Sequence, residues 1–449
     1  MKTVDVGQVL DEGRWTAYQK LLIAGTALTI ILDGMDNQLL PNAVPAMMRE
    51  WSLPRSAFAT ALASGPFGMM IGGVLGGVLG DRIGRRTSLL LSALAFGLIT
   101  LFITLVHSPT ELTLLRFLAG VGLGGAMPNA AALASEYVPR KERPFAVTLT
   151  IVCIPLGGTL AGLIAGRMLP AYGWRGLFVI GGLIPLVLAA LLFKLLTESP
   201  RFLAVHKERW PELRRILRRI GHVVSDDTVF VDAAAASGTA RKASTAELFR
   251  AGLRWDTIGL FGAFFFCLMA NYIGFLVIPV MLTGVGWAQS QAAYANSLFN
   301  FGGVAGAIIG ALIIQRLGSR VTMLGMSALA IVSAAVMMGM PLTPQAILFP
   351  LIMFTITGGL LNAVQTTMYA LAAHVYPVEI RGTGVGTAVA VGRIGNVLAS
   401  YVGLFALAQG GPSGYFSTWV VTMALTLISL AVVRRHISRS SEEPVLATH

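Results

Sequence analysis

The stretch Ile30-Ile31-Leu32-Asp33-Gly34-Met35-Asp36-Asn37-Gln38 places two carboxylates inside the first long apolar segment of the chain. An ionised aspartate at the centre of a bilayer helix costs about 2.5–3.5 kcal/mol on insertion scales. Keeping such a group protonated at neutral pH costs about 4 kcal/mol, so the two states are close in free energy. Asp33 and Asp36 share one helix face because they are three residues apart. The stretch therefore predicts a proton-binding pair of acids or, alternatively, a helix cap or a water-exposed helix end.

The composition is that of a protein that crosses a membrane many times. Of 449 residues, 55% are hydrophobic and 12% are charged, and the mean hydropathy is +0.74. A soluble protein carries about 25% charged residues. The net charge of +12 does not indicate nucleic-acid binding, because the basic residues fall in short segments between apolar runs. Cys153 and Cys267 lie within apolar runs, so neither a disulfide framework nor a metal site is predicted.

Twelve apolar runs are long enough to span a bilayer, which predicts an all-α membrane protein. They lie at about 18–41, 56–79, 88–107, 111–135, 144–168 and 174–196, and at about 256–283, 290–314, 321–340, 345–373, 382–408 and 414–433. Alternate connections, the middle segment and the tail hold most of the arginines and lysines. The positive-inside rule therefore predicts that both termini and the middle segment are cytoplasmic.

Three parts follow from this pattern. Residues 1–196 form one six-helix half, residues 197–255 a cytoplasmic linker, and residues 256–449 the second half with a short tail. Leucine and isoleucine recur at helical spacing between Leu213 and Ile220, which predicts short amphipathic helices against the cytoplasmic face. The linker is too small for a soluble enzyme domain.

The two halves repeat one another. Glycines at every fourth position recur in both halves and favour close helix packing. Two arginines and a further glycine that follow each row also correspond. The matching positions are Gly68, Gly72, Gly76, Arg82, Gly84 and Arg86 in the first half, and Gly302, Gly306, Gly310, Arg316, Gly318 and Arg320 in the second. Duplicated halves place a substrate site between them, near the bilayer midplane.

Two charges of the first half break this repeat. Asp36 corresponds to Ala270, and Arg116 corresponds to Phe354. Because arginine is costly in hydrocarbon unless it is paired or faces water, Arg116 is predicted to form a switchable ion pair with Asp36. The alternative is a static contact between helices. Asp36 ranks first as the proton-coupling residue, whereas Asp33 either supports it or contributes to the substrate site.

The second half contributes a different buried arginine, Arg393, which has no acid in its own helix. Guanidinium binds carboxylate in bidentate geometry, so a substrate carboxylate fits as its partner. The alternative is a structural contact with Asp33 or with helix carbonyls. Polar and aromatic residues interrupt the second-half runs and predict a cavity for a small, flat, polar-edged solute: Asn271, Tyr272, Asn296, Asn300, Asn362, Gln365 and Tyr369.

The sequence lacks the motifs of several classes of enzyme and pump. There is no phosphate-cradling Walker sequence, no catalytic triad and no metal-ligand cluster. The sequence therefore predicts a transporter that is driven by an ion gradient and needs no cofactor.

Motifs along almost the whole chain resemble one superfamily of transporters. The segment Gly77-Val78-Leu79-Gly80-Asp81-Arg82-Ile83-Gly84-Arg85-Arg86 resembles the signature loop of the major facilitator superfamily, and Leu115–Gly122 resembles its fourth-helix motif. The Asp33–Asp36 segment is similar to the D-G-F-D motif of the aromatic acid:proton symporter family, with Met35 at the aromatic position. Gly124–Asn129 and Arg381–Gly395 resemble the same family.

The resemblance implies the major facilitator fold and a function. That function is proton-coupled uptake of a small aromatic carboxylate, such as a hydroxybenzoate, by alternating access of a monomer in the plasma membrane (the inner membrane of a bacterium). It implies transport roles for Asp33, Asp36 and Arg116, and a substrate-facing Arg393. It also implies a conformational latch formed by Asp81, Arg82, Arg85 and Arg86, in which Asp81 docks near the start of the eleventh helix. The alternatives are a non-aromatic organic acid, nicotinate or a sugar-like solute, or a drug:proton antiporter.

Overall fold

The computed structural model describes residues 3–13, 15–222, 224–225, 228–232, 245–250, 252–377 and 380–438. This part of the chain consists almost entirely of long helices, which we number as spans 1 to 12. They are Ala17–Trp51 (span 1), Ala59–Ile83 (2), Arg85–Phe102 (3), Pro109–Gly124 with Ala126–Tyr137 (4), Arg143–Leu195 (5 and 6), Arg254–Gly284 (7), Gln289–Leu317 (8), Ser319–Met338 (9), Leu348–Val375 (10) and Arg381–Val432 (11 and 12).

Two of these helices each contain two spans. Gly173 has a φ of 65° inside Arg143–Leu195, and Gly411 has a φ of 58° inside Arg381–Val432. Glycine adopts this left-handed conformation without a steric penalty, so each glycine marks the point where one span ends and the next begins. In the described ranges nine helices are long and apolar enough to cross a membrane, or ten with the bent pair that contains span 1, and dividing two of them at these glycines gives the twelve spans that the apolar runs predict.

One compact unit comprises Met1–Asp36, Gly68–Gly157 and Phe178–Arg241. Its hydrophobic core joins the N-terminal helix Val6–Glu12 to the linker helices Pro200–Val205 and Trp210–Arg219. The linker helix Trp210–Arg219 is amphipathic and packs its buried leucines and isoleucine into this core. A strand, Thr3–Asp5, pairs in parallel with Val229–Val231, which the sequence does not reveal.

The second compact unit comprises Asn37–Phe67, Gly158–Leu177 and Lys242–His449. It therefore contains the last part of spans 1 and 5 and the first part of spans 2 and 6, together with all of spans 7 to 12. Ser297 Oγ donates a hydrogen bond to Thr159 O at 2.7 Å, and Ser400 Oγ donates one to Ala59 O at 3.1 Å. The compact units thus cut across the two sequence-related halves, and the domain boundaries at 196 and 256 stay a prediction.

The repeated glycines bring equivalent helices together in both halves. A Cβ at Gly72 would lie 2.1 Å from Val121 O, which brings span 2 against span 4. A Cβ at Gly306 would lie 2.0 Å from Gly359 O, which brings span 8 against span 10. No side chain fits at either distance, so the glycines allow backbone-to-backbone packing where no hydrophobic effect drives association.

Candidate functional site

The acidic stretch of span 1 lies at a close crossing with span 5. A Cβ at Gly34 would lie 1.9 Å from Ile154 O, and a Cβ at Gly157 would lie 2.0 Å from Ile31 O. Each helix therefore places a glycine against the other's backbone. This contact gives a physical reason for the glycine between Asp33 and Asp36, because it fixes the position of both carboxylates relative to span 5.

Asp36 forms a buried ion pair with Arg116 of span 4. Arg116 Nη1 donates to Asp36 Oδ1 at 2.7 Å, and the two residues are only 4% and 2% exposed. Arg116 Nε has no hydrogen-bond partner among the described residues, so the contact uses one arm of the guanidinium. Asp33 is buried as well. A buried pair of this kind becomes costly as soon as one partner loses the other without compensation.

Arg393 of span 11 lies near an aromatic pair. It is half-buried and close enough to the Tyr369 phenol to interact with it electrostatically. The Tyr369 ring meets the Phe264 ring edge to face, with centroids 5.2 Å apart. A guanidinium, a phenol and an aromatic face are the groups that bind a flat carboxylate. The structure thus brings two of the predicted substrate residues together.

The predicted residues of span 7 have mixed surroundings. The buried Asn271 donates through Nδ2 to Cys267 O at 3.1 Å and to Leu361 O at 3.3 Å. Its Oδ1 accepts no hydrogen bond from the described residues. Tyr272 lies beside Phe275, with ring centroids 4.6 Å apart. Asn271 therefore joins spans 7 and 10 and keeps one acceptor unused.

Two other polar residues lie in spans 10 and 11 of the second half. Gln365 is half-buried in span 10. Asn396 was missed by the sequence analysis, although its position three residues after Arg393 puts both on one face of span 11. It is buried, and its Oδ1 has no hydrogen-bond partner in the described ranges.

Three buried amides form a cluster between spans 1 and 8. Asn296 Nδ2 donates to Gln38 Oε1 at 2.8 Å, and Gln38 Nε2 donates to Asn300 Oδ1 at 3.3 Å. Asn300 Nδ2 donates to Asn296 O at 2.8 Å. Both polar atoms of the Asn300 side chain are therefore used within the protein, and its role as a substrate ligand stays a prediction. Gln38 was not singled out from the sequence, although it ends the acidic stretch.

The signature loop between spans 2 and 3 is held within its own compact unit. Arg85 Nη2 lies 2.5 Å from Asp81 Oδ1, while Arg82 is exposed. Arg86 donates through its backbone N to Glu198 Oε1 at 2.9 Å and through Nη2 to Phe193 O at 2.5 Å. Glu198, which follows span 6, thus anchors the loop in a way that sequence spacing alone does not show.

In the described ranges, the cysteines, histidines and acidic residues do not form a metal centre. Cys153 and Cys267 are both buried and free. Within the same ranges, no three His, Cys, Asp or Glu residues are placed to hold a metal ion together.

Comparison with known proteins gives consistent matches along the chain. The sequence matches the profile of the Major Facilitator Superfamily over residues 26–399 and again over 259–447. It is 32% identical over 410 residues to a gallate transporter of Pseudomonas putida, covering 91% of this chain and 90% of that protein. It is 32% identical over 409 residues to a 4-hydroxybenzoate transporter of Pseudomonas putida, covering 91% of each. The inward-open structure of a xylose transporter from E. coli superposes with a TM-score of 0.68 at 18% identity, covering 93% of this chain and all of that one.

Proposed function

We propose that this chain, which belongs to the Major Facilitator Superfamily, takes up a small aromatic carboxylate, such as a hydroxybenzoate, together with a proton. The chain is a multi-pass membrane transport protein. The observation that carries the proposal is the buried ion pair between Asp36 and Arg116. Gallate and 4-hydroxybenzoate, the solutes named for two relatives, are both ring carboxylates that carry hydroxyl groups.

Proton coupling is assigned to Asp36 and Arg116. Binding of a proton to Asp36 neutralises its carboxylate, which removes the attraction to the guanidinium 2.7 Å away and weakens the pair. In the proposed cycle, Asp36 takes a proton from outside and separates from Arg116. When the pair forms again, the proton is released to the cytoplasm. Asp33 is either a support for Asp36 or a part of the substrate site.

Substrate recognition is assigned to Arg393, Tyr369 and Asn271, with Tyr272, Asn300 and Gln365 as further candidates. Arg393 would bind the carboxylate, because its planar fork matches two carboxylate oxygens. The Tyr369 and Phe264 rings would contact the flat face of the substrate. The unused Asn271 Oδ1 would accept a hydrogen bond from a ring hydroxyl.

Alternating access gives the amide cluster of Gln38, Asn296 and Asn300 a role. We assign the cluster to a closed gate, because its hydrogen bonds join span 1 of the first half to span 8 of the second half. Opening that side of the transporter breaks these hydrogen bonds. The proposed orientation places both termini in the cytoplasm and the protein in the plasma membrane.

The test of proton coupling uses purified protein in sealed vesicles. We expect Asp36→Asn to exchange labelled substrate across the membrane at near wild-type rates and to lose accumulation driven by a pH gradient. Asp11→Asn, which changes an aspartate outside the spans, serves as the matched control and is expected to accumulate normally. Full gradient-driven accumulation by Asp36→Asn would refute the coupling role.

The test of substrate class is exchange of a panel of solutes. It contains hydroxylated benzoates, aliphatic acids, nicotinate and uncharged sugars, each with and without a pH gradient. We expect hydroxylated benzoates to exchange fastest, and we expect Arg393→Gln to raise their KM at least tenfold, because a charge-assisted bidentate contact is lost. Transport of uncharged sugars alone would overturn both the substrate class and the role of Arg393.

A further inference from the structure

The chain after span 12 is held against the starts of spans 7 and 9. Asp256 Oδ1 accepts hydrogen bonds from the backbone N of Arg434 at 2.5 Å and of Arg435 at 3.4 Å. Ser319 N donates to Ile437 O at 3.0 Å, and Ile437 N donates to Ser319 Oγ at 2.8 Å. Residues 433–438 therefore form part of the folded surface at this end of the spans.

Two neighbouring clefts lie where these segments meet. One has a volume of about 520 Å³ and is lined by Trp255, Arg320 and residues 431–434. The other has a volume of about 420 Å³ and shares Trp255 and Arg434 with the first, adding Phe249 and Arg254. Because they share two residues, we treat them as one site, the Trp255 cleft.

The Trp255 cleft carries positive charge that no acidic residue among the described ranges pairs with. Arg254, Arg320 and Arg434 line it, and none of the three forms an ion pair with a residue that the structure describes. The acid in the cleft, Asp256, is already bonded to two backbone N–H groups and lies 3.7 Å from Arg435 Nε. The three other guanidiniums therefore remain able to bind an anion, and arginine binds phosphate through two parallel hydrogen bonds.

The surroundings of the cleft match a lipid better than a free anion. Trp255 is 45% exposed at the start of span 7, the position at which tryptophan marks a membrane–water interface. Ile258, Val321 and Val432 are exposed apolar residues one turn or less away along spans 7, 9 and 12. Basic pockets between transmembrane helices are recognised sites for anionic headgroups. A phospholipid there would place its phosphate among the arginines and its acyl chains along these apolar residues.

We propose that the Trp255 cleft binds the headgroup of an anionic phospholipid and so links the starts of spans 7 and 9 to the C-terminal segment. The arginines belong to three different segments, so one headgroup joins all three. Ligand binding to the folded state raises its stability, which makes the effect measurable by unfolding.

The experiment compares nanodiscs of phosphatidylcholine alone with nanodiscs containing phosphatidylglycerol and phosphatidylcholine in a one-to-three ratio. Full-length wild-type protein is compared with Arg320→Gln/Arg434→Gln, and Arg218→Gln is the control because it removes an exposed arginine from the linker. We expect phosphatidylglycerol to raise the unfolding temperature of the wild type and of the control, and to have little effect on the double variant. Each arginine near an anionic surface is worth a factor of about five, so phosphatidylglycerol should bind the double variant about 25-fold more weakly.

Two further measurements separate the alternatives. Phosphatidylglycerol with brominated acyl chains should quench the fluorescence of the wild type more than that of Trp255→Phe. Unchanged stabilisation of the double variant would overturn the proposal. If inorganic phosphate in phosphatidylcholine nanodiscs stabilised the wild type as much as phosphatidylglycerol does, the site would be one for a free anion, and the lipid assignment would fail.

Discussion

Equivalent positions in the two six-helix halves carry an ion pair in one and an aromatic cluster in the other. In the first half, Asp36 and Arg116 are joined at 2.7 Å. Their counterparts in the second half are Ala270 and Phe354. There, Ala270 O accepts a hydrogen bond from Trp419 Nε1 at 3.0 Å, and the Phe354 ring meets the Trp419 ring edge to face at 6.5 Å. One half therefore contains a contact that protonation can break, and the other contains one that protonation does not affect.

The framework around these centres is the same in both halves. Gly84 and Gly318 both have a left-handed backbone, with φ values of 102° and 77°. In both halves the chain that follows the sixth helix anchors the loop after this glycine, through Glu198 in the first half and through Ile437 in the second. The packing elements of the repeat are retained while its centre differs, so at these equivalent positions the first half has the buried ion pair that the proposed proton coupling requires and the second half has uncharged contacts.

The largest effect should come from breaking the ion pair on one side only. Arg116→Met leaves a buried carboxylate without its partner, which costs about 3–5 kcal/mol. We expect the double variant Asp36→Asn/Arg116→Met to recover most of this loss, since no charge then remains unpaired. Denaturant unfolding in detergent measures both, with Phe354→Met as the control at the equivalent position. If Arg116→Met were as stable as the wild type, the ion pair would contribute nothing to the stability of the fold.

A smaller but still large effect should follow from Gly34→Ala. The added Cβ would lie 1.9 Å from Ile154 O, so spans 1 and 5 must move apart, and overpacking of this kind costs about 1–3 kcal/mol. Because Asp33 and Asp36 flank this glycine, we expect transport to fall together with the unfolding temperature. Gly77→Ala is the matched control, because nothing lies within 4 Å of its added Cβ. Equal behaviour of the two variants would show that the close crossing is not needed.

Trp419→Phe should have a more modest effect on stability. Phenylalanine keeps an aromatic ring but cannot donate to Ala270 O, and loss of one hydrogen bond costs about 0.5–1.5 kcal/mol. We expect the unfolding temperature to decrease slightly while accumulation driven by a pH gradient is retained. Loss of accumulation with normal substrate exchange would place the aromatic cluster in the coupling mechanism and contradict the contrast between the halves.

Much of the fold was predictable because bilayer physics acts on local sequence. The length of each apolar run and the repeated glycines gave the twelve spans and the duplication, both of which the structure has. The contact between Asp36 and Arg116 followed from the cost of burying either charge alone. These inferences need only composition, spacing and a comparison of the two halves.

The contacts that were missed depend on how distant helices are rotated and aligned. Hydrophobic periodicity does not show that Gln38 bonds to Asn296, or that Glu198 receives the backbone N–H of Arg86. The pairing of strand Thr3–Asp5 with Val229–Val231 joins the two ends of a long stretch of chain, and three residues carry too little pattern to predict it. Such contacts are set by tertiary packing rather than by local propensity.

The smallest expected effect concerns the contacts that anchor the loop after Gly84 in the first half and the loop after Gly318 in the second. In the second half, His436 Nδ1 lies 3.1 Å from Ser319 Oγ, and burial lowers the pKa of His436 below its ordinary value, with Arg320 lowering it further and Asp256 opposing this. The unfolded chain therefore binds a proton at a higher pH than the folded protein does. This contribution to stability is present above about pH 6.5 and is lost as the pH falls towards the lower pKa of the folded protein.

Unfolding temperatures measured between about pH 7.5 and about pH 5.5, a range that includes the ordinary histidine pKa, check this sign. We expect the wild type to lose more stability over this range than His436→Gln, in which the position no longer titrates. His222→Gln, which removes a histidine from the linker, is the control and should follow the wild type. A larger loss in His436→Gln would mean that the protonated imidazole is the form that holds Ser319, and the two halves would then both use a charged group to anchor this loop.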